Sequence, residues 1–235
     1  MNETSETMQN WHLLPGTLCT PAVFTPVLDC LDIGGAARLP FRVDLPTPAA
    51  YAPQLERRVT SGDIAIGFSL GALVLAQNLG ALHAARAVVL LALNPLADAP
   101  DNAAKRRAVR DRVVAGDGEG WVDENLAAMT TDRGTRVRDM IVSMAQSTID
   151  LMPDQTELAI CRPDATAQLV ATDLPLVFVT GAEDQMTPPG PIERIGAQAR
   201  NAAVRILPGL GHFALLESPE HVAKAIRSGL SEVLG

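Results

Sequence analysis

Three separated stretches of this chain hold residue types that together could form and break an acyl bond. The first is Gly67-Phe68-Ser69-Leu70-Gly71, a G-x-S-x-G sequence. A serine hydroxyl is nearly inert at neutral pH and becomes a nucleophile only beside a base that takes its proton. The chain offers four histidines, His12, His83, His212 and His221. His212 is the candidate base, because it lies in the loop Gly209-Leu210-Gly211-His212-Phe213 directly after an apolar run. A basic imidazole needs an acceptor for its second N–H, which fixes the tautomer and stabilises the cation. Glu183 and Asp184, in Thr180-Gly181-Ala182-Glu183-Asp184, both offer one. An oxyanion formed by attack on a carbonyl needs backbone donors. The amide of Leu70, next to the serine, is one candidate, and the amide of Thr17, in Leu14-Pro15-Gly16-Thr17-Leu18, is the other.

These residues meet only if the right elements carry them. Asp63 to Phe68 is apolar on both faces, as a central parallel strand is. Ser69 to Leu79 is rich in small and apolar residues and reads as a helix ended by Gly80. A strand that becomes a helix at one serine forces a strained backbone there, and Gly67 and Gly71 leave room for the two elements to close up. The serine then sits at the strand tip and at a helix N-terminus, where negative charge is favoured. Short strands are also expected at Trp11–Leu14, Arg42–Leu45, Ala87–Leu91, Leu174–Val179 and Ala203–Leu207. Helices are expected at Pro21–Leu31, 52–60, Ile192–Arg200 and Pro219–Leu234. Strand alternating with helix demands a parallel sheet covered on both faces.

From Leu96 to Leu169 the rhythm changes, with charged, helical sequence and no strand-like run. Val137, Met140, Ile141 and Met144 recur at the spacing of an amphipathic helix. The expected organisation is a sheet core over 1–95 and 170–235, with a helical lid over 96–169 at the strands' C-terminal edge, where ligands bind in open α/β sheets. Leu18, Met140, Met144 and Phe213 are the candidate pocket residues. Lys105, Arg106, Arg107, Arg110 and Arg112 read as the solvated face of a helix capped near Asp101; the other reading is a cluster that attracts an anionic substrate.

Composition bounds the partners. In 235 residues, 47% apolar and 20% charged, the net charge is −8, which disfavours binding to nucleic-acid phosphates. No apolar run approaches the roughly 20 residues that span a bilayer. Met1 to Asn10 is polar and acidic, without the basic and apolar regions of a secretory signal, and Asn2-Glu3-Thr4 is a chance match to a glycosylation acceptor. Cys19, Cys30 and Cys161 lack disulfide or metal-ligand spacing and read as inert thiols in a reducing cytoplasm, with Cys19 beside the suspected site. No metal or organic cofactor is implied, the expected partner is a small-molecule substrate, and oligomeric state is not legible.

Taken together, these segments resemble the α/β-hydrolase family over nearly the whole chain. The likeness rests on Leu13-Leu14-Pro15-Gly16, the Gly67–Gly71 turn, Gly181-Ala182-Glu183-Asp184-Gln185-Met186-Thr187-Pro188-Pro189, and Gly211-His212-Phe213 followed by Glu217-Ser218-Pro219. The chain is most similar to small lid-bearing esterases and lactonases of the 3-oxoadipate enol-lactonase and pimeloyl-ester carboxylesterase types. In such proteins the last acidic residue before the x-x-T-P-P stretch is the triad acid, which selects Asp184 over Glu183. The family's usual His-Gly is here Pro15-Gly16, and its glycine-rich turn after the second strand is here Asp44-Leu45-Pro46-Thr47-Pro48. Its first two strands are missing, so the sheet is expected to have about six. The resemblance implies hydrolysis of a carboxylic ester, thioester or lactone through an acyl-enzyme. Carbon–carbon bond hydrolysis, acyl transfer and a non-catalytic ligand receptor are the other uses of the same frame.

Overall fold

The computed structural model describes residues 9–235; the acidic start of the chain and the Asn2-Glu3-Thr4 triplet lie outside them. Six parallel strands form one sheet: β1 (Trp11–Leu14), β2 (Arg38–Pro40), β3 (Ile64–Phe68), β4 (Ala87–Leu91), β5 (Leu176–Gly181) and β6 (Ala202–Leu207), in the order β2-β1-β3-β4-β5-β6. The strand count and the parallel pairing agree with the sequence pattern. Parallel neighbours need crossovers, supplied by α1 (Thr25–Cys30), α2 (Ala52–Arg58), α3 (Leu70–Gln77) and α9 (Gly190–Gly196). α10 (Ala214–Glu217) and α11 (Pro219–Leu234) follow β6.

Alternation along each strand divides the core in two. Leu13, Ile64, Ile66, Val89, Val177 and Val179 point to one face and pack with Val27, Leu28, Val222 and Ile226 of α1 and α11. Leu14, Ala65, Val88, Leu90, Leu176 and Phe178 point to the other, against Leu55, Val74, Leu75 and Ile192 of α2, α3 and α9. Both faces of β3, β4 and β5 are therefore buried, and no polar side chain interrupts β3 or β4.

Between β4 and β5 run α4 (Asn102–Arg112), α5 (Gly118–Met129), α6 (Thr135–Ser147), α7 (Met152–Cys161) and α8 (Thr166–Ala171). A π-turn over Val113–Asp117, with Gly116 at φ 105°, breaks the chain between α4 and α5. Leu158, Ala159, Ala165 and Leu169 join the same apolar cluster as α3, so α8 and one side of α7 lie in the sheet's helical layer.

Three expected elements shift. The second strand forms at Arg38–Pro40 and not at Arg42–Leu45. Residues 42–45 alternate like a strand because Val43 is buried and Arg42 is exposed. They pair with no strand, and the last bond to β1 is Phe41 N–H to the Leu13 carbonyl. The helix after Ser69 stops at Gln77, three residues before Gly80. There the Asn78 side-chain amide donates to the Val74 and Pro48 carbonyls and turns the chain into a 3-10 segment, Leu79–Leu82. The helix expected over Ile192–Arg200 spans Gly190–Gly196.

Candidate active site

β3, β5 and β6 run parallel, so the loops that follow them emerge on one edge of the sheet. Those loops carry Ser69, Asp184 and His212. Ser69 joins β3 directly to α3 with φ 50° and ψ −110°, a conformation that costs a non-glycine residue about 1–3 kcal/mol. Its surroundings hold it there. Ser69 N–H donates to Leu91 O at 2.9 Å, and Ser69 O accepts from Leu73 N–H at 3.0 Å. A Cβ on Gly67 would lie 2.6 Å from the Ala72 nitrogen, and one on Gly71 would run into the Leu14 carbonyl. The glycines are the condition for this strand and helix to approach so closely.

His212 Nε2 lies 3.1 Å from Ser69 Oγ, and His212 Nδ1 lies 2.8 Å from Asp184 Oδ2. An ionised carboxylate only accepts, so Nδ1 carries the hydrogen and Nε2 presents its lone pair to the serine hydroxyl. Asp184 is buried and held by three more donors: the amides of Met186 at 2.9 Å and Thr187 at 2.8 Å, and the Thr187 hydroxyl at 2.6 Å. Glu183 points away and accepts from Gly209 N–H at 3.0 Å. The ring of His212 is packed between Phe68 and Phe213, with centroids 5.2 and 5.6 Å away. Glu217 braces the histidine loop by accepting from Gly211 N–H and from Thr131.

The other histidines lie elsewhere. His12 is buried in β1 beside Asp63, which precedes β3; His83 bonds the Gly80 carbonyl, and His221 bonds Ser218.

The amides of Leu70 and Thr17 both border the serine. Leu70 N–H is in the first turn of α3, where helix geometry leaves donors free, and Thr17 N–H makes no hydrogen bond among the described residues, whereas the next two amides are engaged, Leu18 by Gln155 and Cys19 by the Gly16 carbonyl. Leu18 has φ 54°. Its N–H is held by Gln155 Oε1 at 2.9 Å, while Gln155 Nε2 donates to Val43 O at 3.0 Å. The buried carboxamide of Gln155 thus fixes the loop that presents Thr17.

A cavity of about 400 Å³ opens on Ser69 and His212, within the range of small-molecule sites. Leu18 and Phe213 line it. Met140 and Met144 do not. α6 turns Ile141 and Ala145 to the cavity, and Met144 packs into the core beneath with Met140 half-buried against it. The phase of the apolar stripe marks the helix's buried side but not which part of that side meets the cavity. Cys19 also lines the cavity, yet burial pushes its thiol up to about 12, so it is protonated and unreactive at neutral pH. Among the described residues no cluster of three or more His, Cys, Asp or Glu gathers as a metal site, and no helix is long and apolar enough to cross a membrane.

Residues 11–225 match the alpha/beta hydrolase family. The chain belongs to that family. Solved structures superpose on nearly all of it. A thermophilic esterase from Thermogutta terrifontis is 21% identical with a TM-score of 0.78, over 97% of this chain and 91% of that one. An esterase from Rhodococcus sp. ECU1013 is 16% identical with a TM-score of 0.74, over 96% and 91%. A bromoperoxidase from Bacillus anthracis is 14% identical with a TM-score of 0.75, over 95% and 92%. Such distant likenesses speak for the fold, and a hydrolase frame hosts more than one chemistry. A comparison with curated protein sequences finds no match. Sequence reasoning missed Thr187 and Gln155. Thr187 lies in the quoted Met186-Thr187-Pro188 stretch and was within reach, but nothing near Gln155 signals its partner, Leu18, 137 residues away.

Proposed function

We propose that this alpha/beta hydrolase cleaves a carboxylic ester, thioester or lactone through an acyl-enzyme on Ser69. His212 takes the serine proton as Oγ attacks the carbonyl carbon, and Asp184 orients the ring and stabilises the imidazolium that forms. The amides of Leu70 and Thr17 receive the oxyanion, each contributing about 3 kcal/mol of barrier reduction. His212 then protonates the leaving group, and water, activated by the same ring, releases the acid. In this reading α4 to α7 form the lid over the cavity, and α8 belongs to the core.

The observation that carries the reading is the strained Ser69 3.1 Å from the His212 imidazole, which is backed by a carboxylate that accepts four hydrogen bonds. The test is turnover of p-nitrophenyl acetate and butyrate by the wild type and Ser69→Ala. The expected result is a loss of at least about a thousandfold in kcat with an unchanged circular-dichroism spectrum. Full activity in Ser69→Ala would exclude the serine as nucleophile.

A further inference from the structure

Among the described residues three cations and no carboxylate face the cavity beside Ser69: Lys105, Arg106 and Arg162. In a chain of net charge −8 this is a marked local excess of positive charge. The three differ in what they have left to offer. Arg162 is buried, and its guanidinium is committed to the Leu96 and Ala159 carbonyls and to Asp98. Arg106 directs Nε and Nη2 at Asp98, at 2.7 and 2.8 Å, which leaves Nη1 without a partner among the described residues. Lys105, the preceding residue of α4, makes no ion pair among the described residues.

Asp98 is 2% exposed at its side chain and serves both arginines at once. Burial alone would raise its carboxyl, but Arg106 and Arg162 hold it below the usual carboxylate range. One negative charge thus fixes two positive ones, and with Lys105 the wall keeps an excess of about two positive charges, by the formal count of these four groups. By contrast Arg107, Arg110 and Arg112 are matched outward, to Glu157, Asp111, Asp117 and Glu124. The solvated face expected of this helix is real, Lys105 included, but Lys105 and Arg106 also border the cavity. The remaining wall, including Val109, Trp121, Ile141 and Met152, is apolar.

A neutral ester would leave Arg106 Nη1 and the Lys105 ammonium, which border the cavity, to water alone. We infer that the substrate carries a carboxylate remote from the bond that is cleaved, and that Lys105 and Arg106 Nη1 hold it. The inference rests on the serine hydrolase reading for its reaction but on the cavity wall for its chemistry. Two neighbouring cationic groups with unused donors suit one planar carboxylate.

The test compares mono-p-nitrophenyl adipate with methyl p-nitrophenyl adipate, which share chain and leaving group and differ in one charge. The wild type is expected to favour the charged ester by about tenfold in kcat/KM, Lys105→Met to bring that ratio near one, and Lys105→Glu to invert it. Lys224→Met, on the exposed face of α11, is the control and leaves the ratio unchanged. A ratio near one in the wild type, or an equal ratio in Lys105→Met, overturns the inference. A second arm needs no turnover. Trp121 faces the cavity, so Ser69→Ala is titrated by fluorescence with monomethyl adipate and with dimethyl adipate. Tighter binding of the monoester, abolished by adding Lys105→Met, supports the anion subsite even if neither ester is cleaved, in which case the hydrolase reading alone fails. Cleavage of both esters with equal binding leaves hydrolysis standing and removes the subsite.

Discussion

Two adjacent carboxylates, Glu183 and Asp184, could serve the imidazole, and their partners separate them. Asp184 lies 2.8 Å from His212 Nδ1, while Glu183 is engaged with Gly209. Asp184→Asn replaces an acceptor with a group that can force the wrong tautomer, and kcat is expected to fall by about ten thousandfold. Glu183→Gln is expected to stay within about threefold, since its loss weakens one exposed loop bond. Steady-state kinetics on one p-nitrophenyl ester checks both; equal losses would mean that the carboxylates are misassigned. These residues were legible because each sits in a short local motif: glycines around Ser69, glycines before His212, and an acidic pair before Thr187-Pro188-Pro189. Thr187 and Gln155 act through partners chosen by the folded chain, and side-chain type alone does not announce such partners.

Among the elements, the strands that carry the site were readable because both their faces are buried, so β3, β4 and β5 are continuous apolar runs. β2 was not, for the opposite reason. It is a three-residue edge strand containing Arg38 and Pro40, and the alternation at Arg42–Leu45 records the burial of Val43 in a segment with no ladder. Likewise the helical phase of α6 was visible, but its rotation toward the cavity depends on its neighbours, which is why Ile141 and Ala145 replace the two methionines there. α7 ties two loops together, because Gln155 bridges the Leu18 amide and the Val43 carbonyl. Gln155→Leu leaves both buried groups unpaired and is expected to cost about 1–3 kcal/mol. It should also release Leu18 from its left-handed conformation, so kcat should fall more than KM rises. Chemical denaturation and kinetics measure the two effects. A stability loss with intact kcat would show that the loop holds Thr17 without this helix.

For the molecule as a whole, the two ends of the sheet do different work. The C-terminal edge gathers the reactive groups, and the opposite edge holds a buried pair, His12 Nε2 to Asp63 Oδ2 at 3.0 Å, that takes no part in them. Burial lowers His12 below its usual value, with Asp63 opposing that only in part. Among the described residues His12 Nδ1 has no partner, so a second ring hydrogen would be a buried donor without an acceptor. Burial pushes Asp63 up, but its bonds from His12, Thr60 and Asn10 outweigh that and hold it below the usual carboxylate range. In both cases the unfolded chain binds protons more readily than the native one, so stability rises with pH. The His12 contribution is complete above the unfolded value of 6.5 and is lost as the pH falls below it, by at most about 1.4 kcal/mol per pH unit; the Asp63 contribution is lost only in stronger acid. Melting temperature is therefore expected to drop from pH 7 to 5 in the wild type and to drop less in His12→Gln, which begins lower. An equal slope in the variant would move the acid sensitivity to another group.

The proposed chemistry requires that Ser69 bond covalently to carbon or phosphorus electrophiles with His212 as its base, and a fluorophosphonate probe reads that bond without a known substrate. Intact-mass and peptide-mapping analysis of the labelled protein should show one adduct, on the peptide containing Ser69, with labelling lost in Ser69→Ala and strongly slowed in His212→Ala. An unlabelled protein, or an adduct on another residue, would contradict the account.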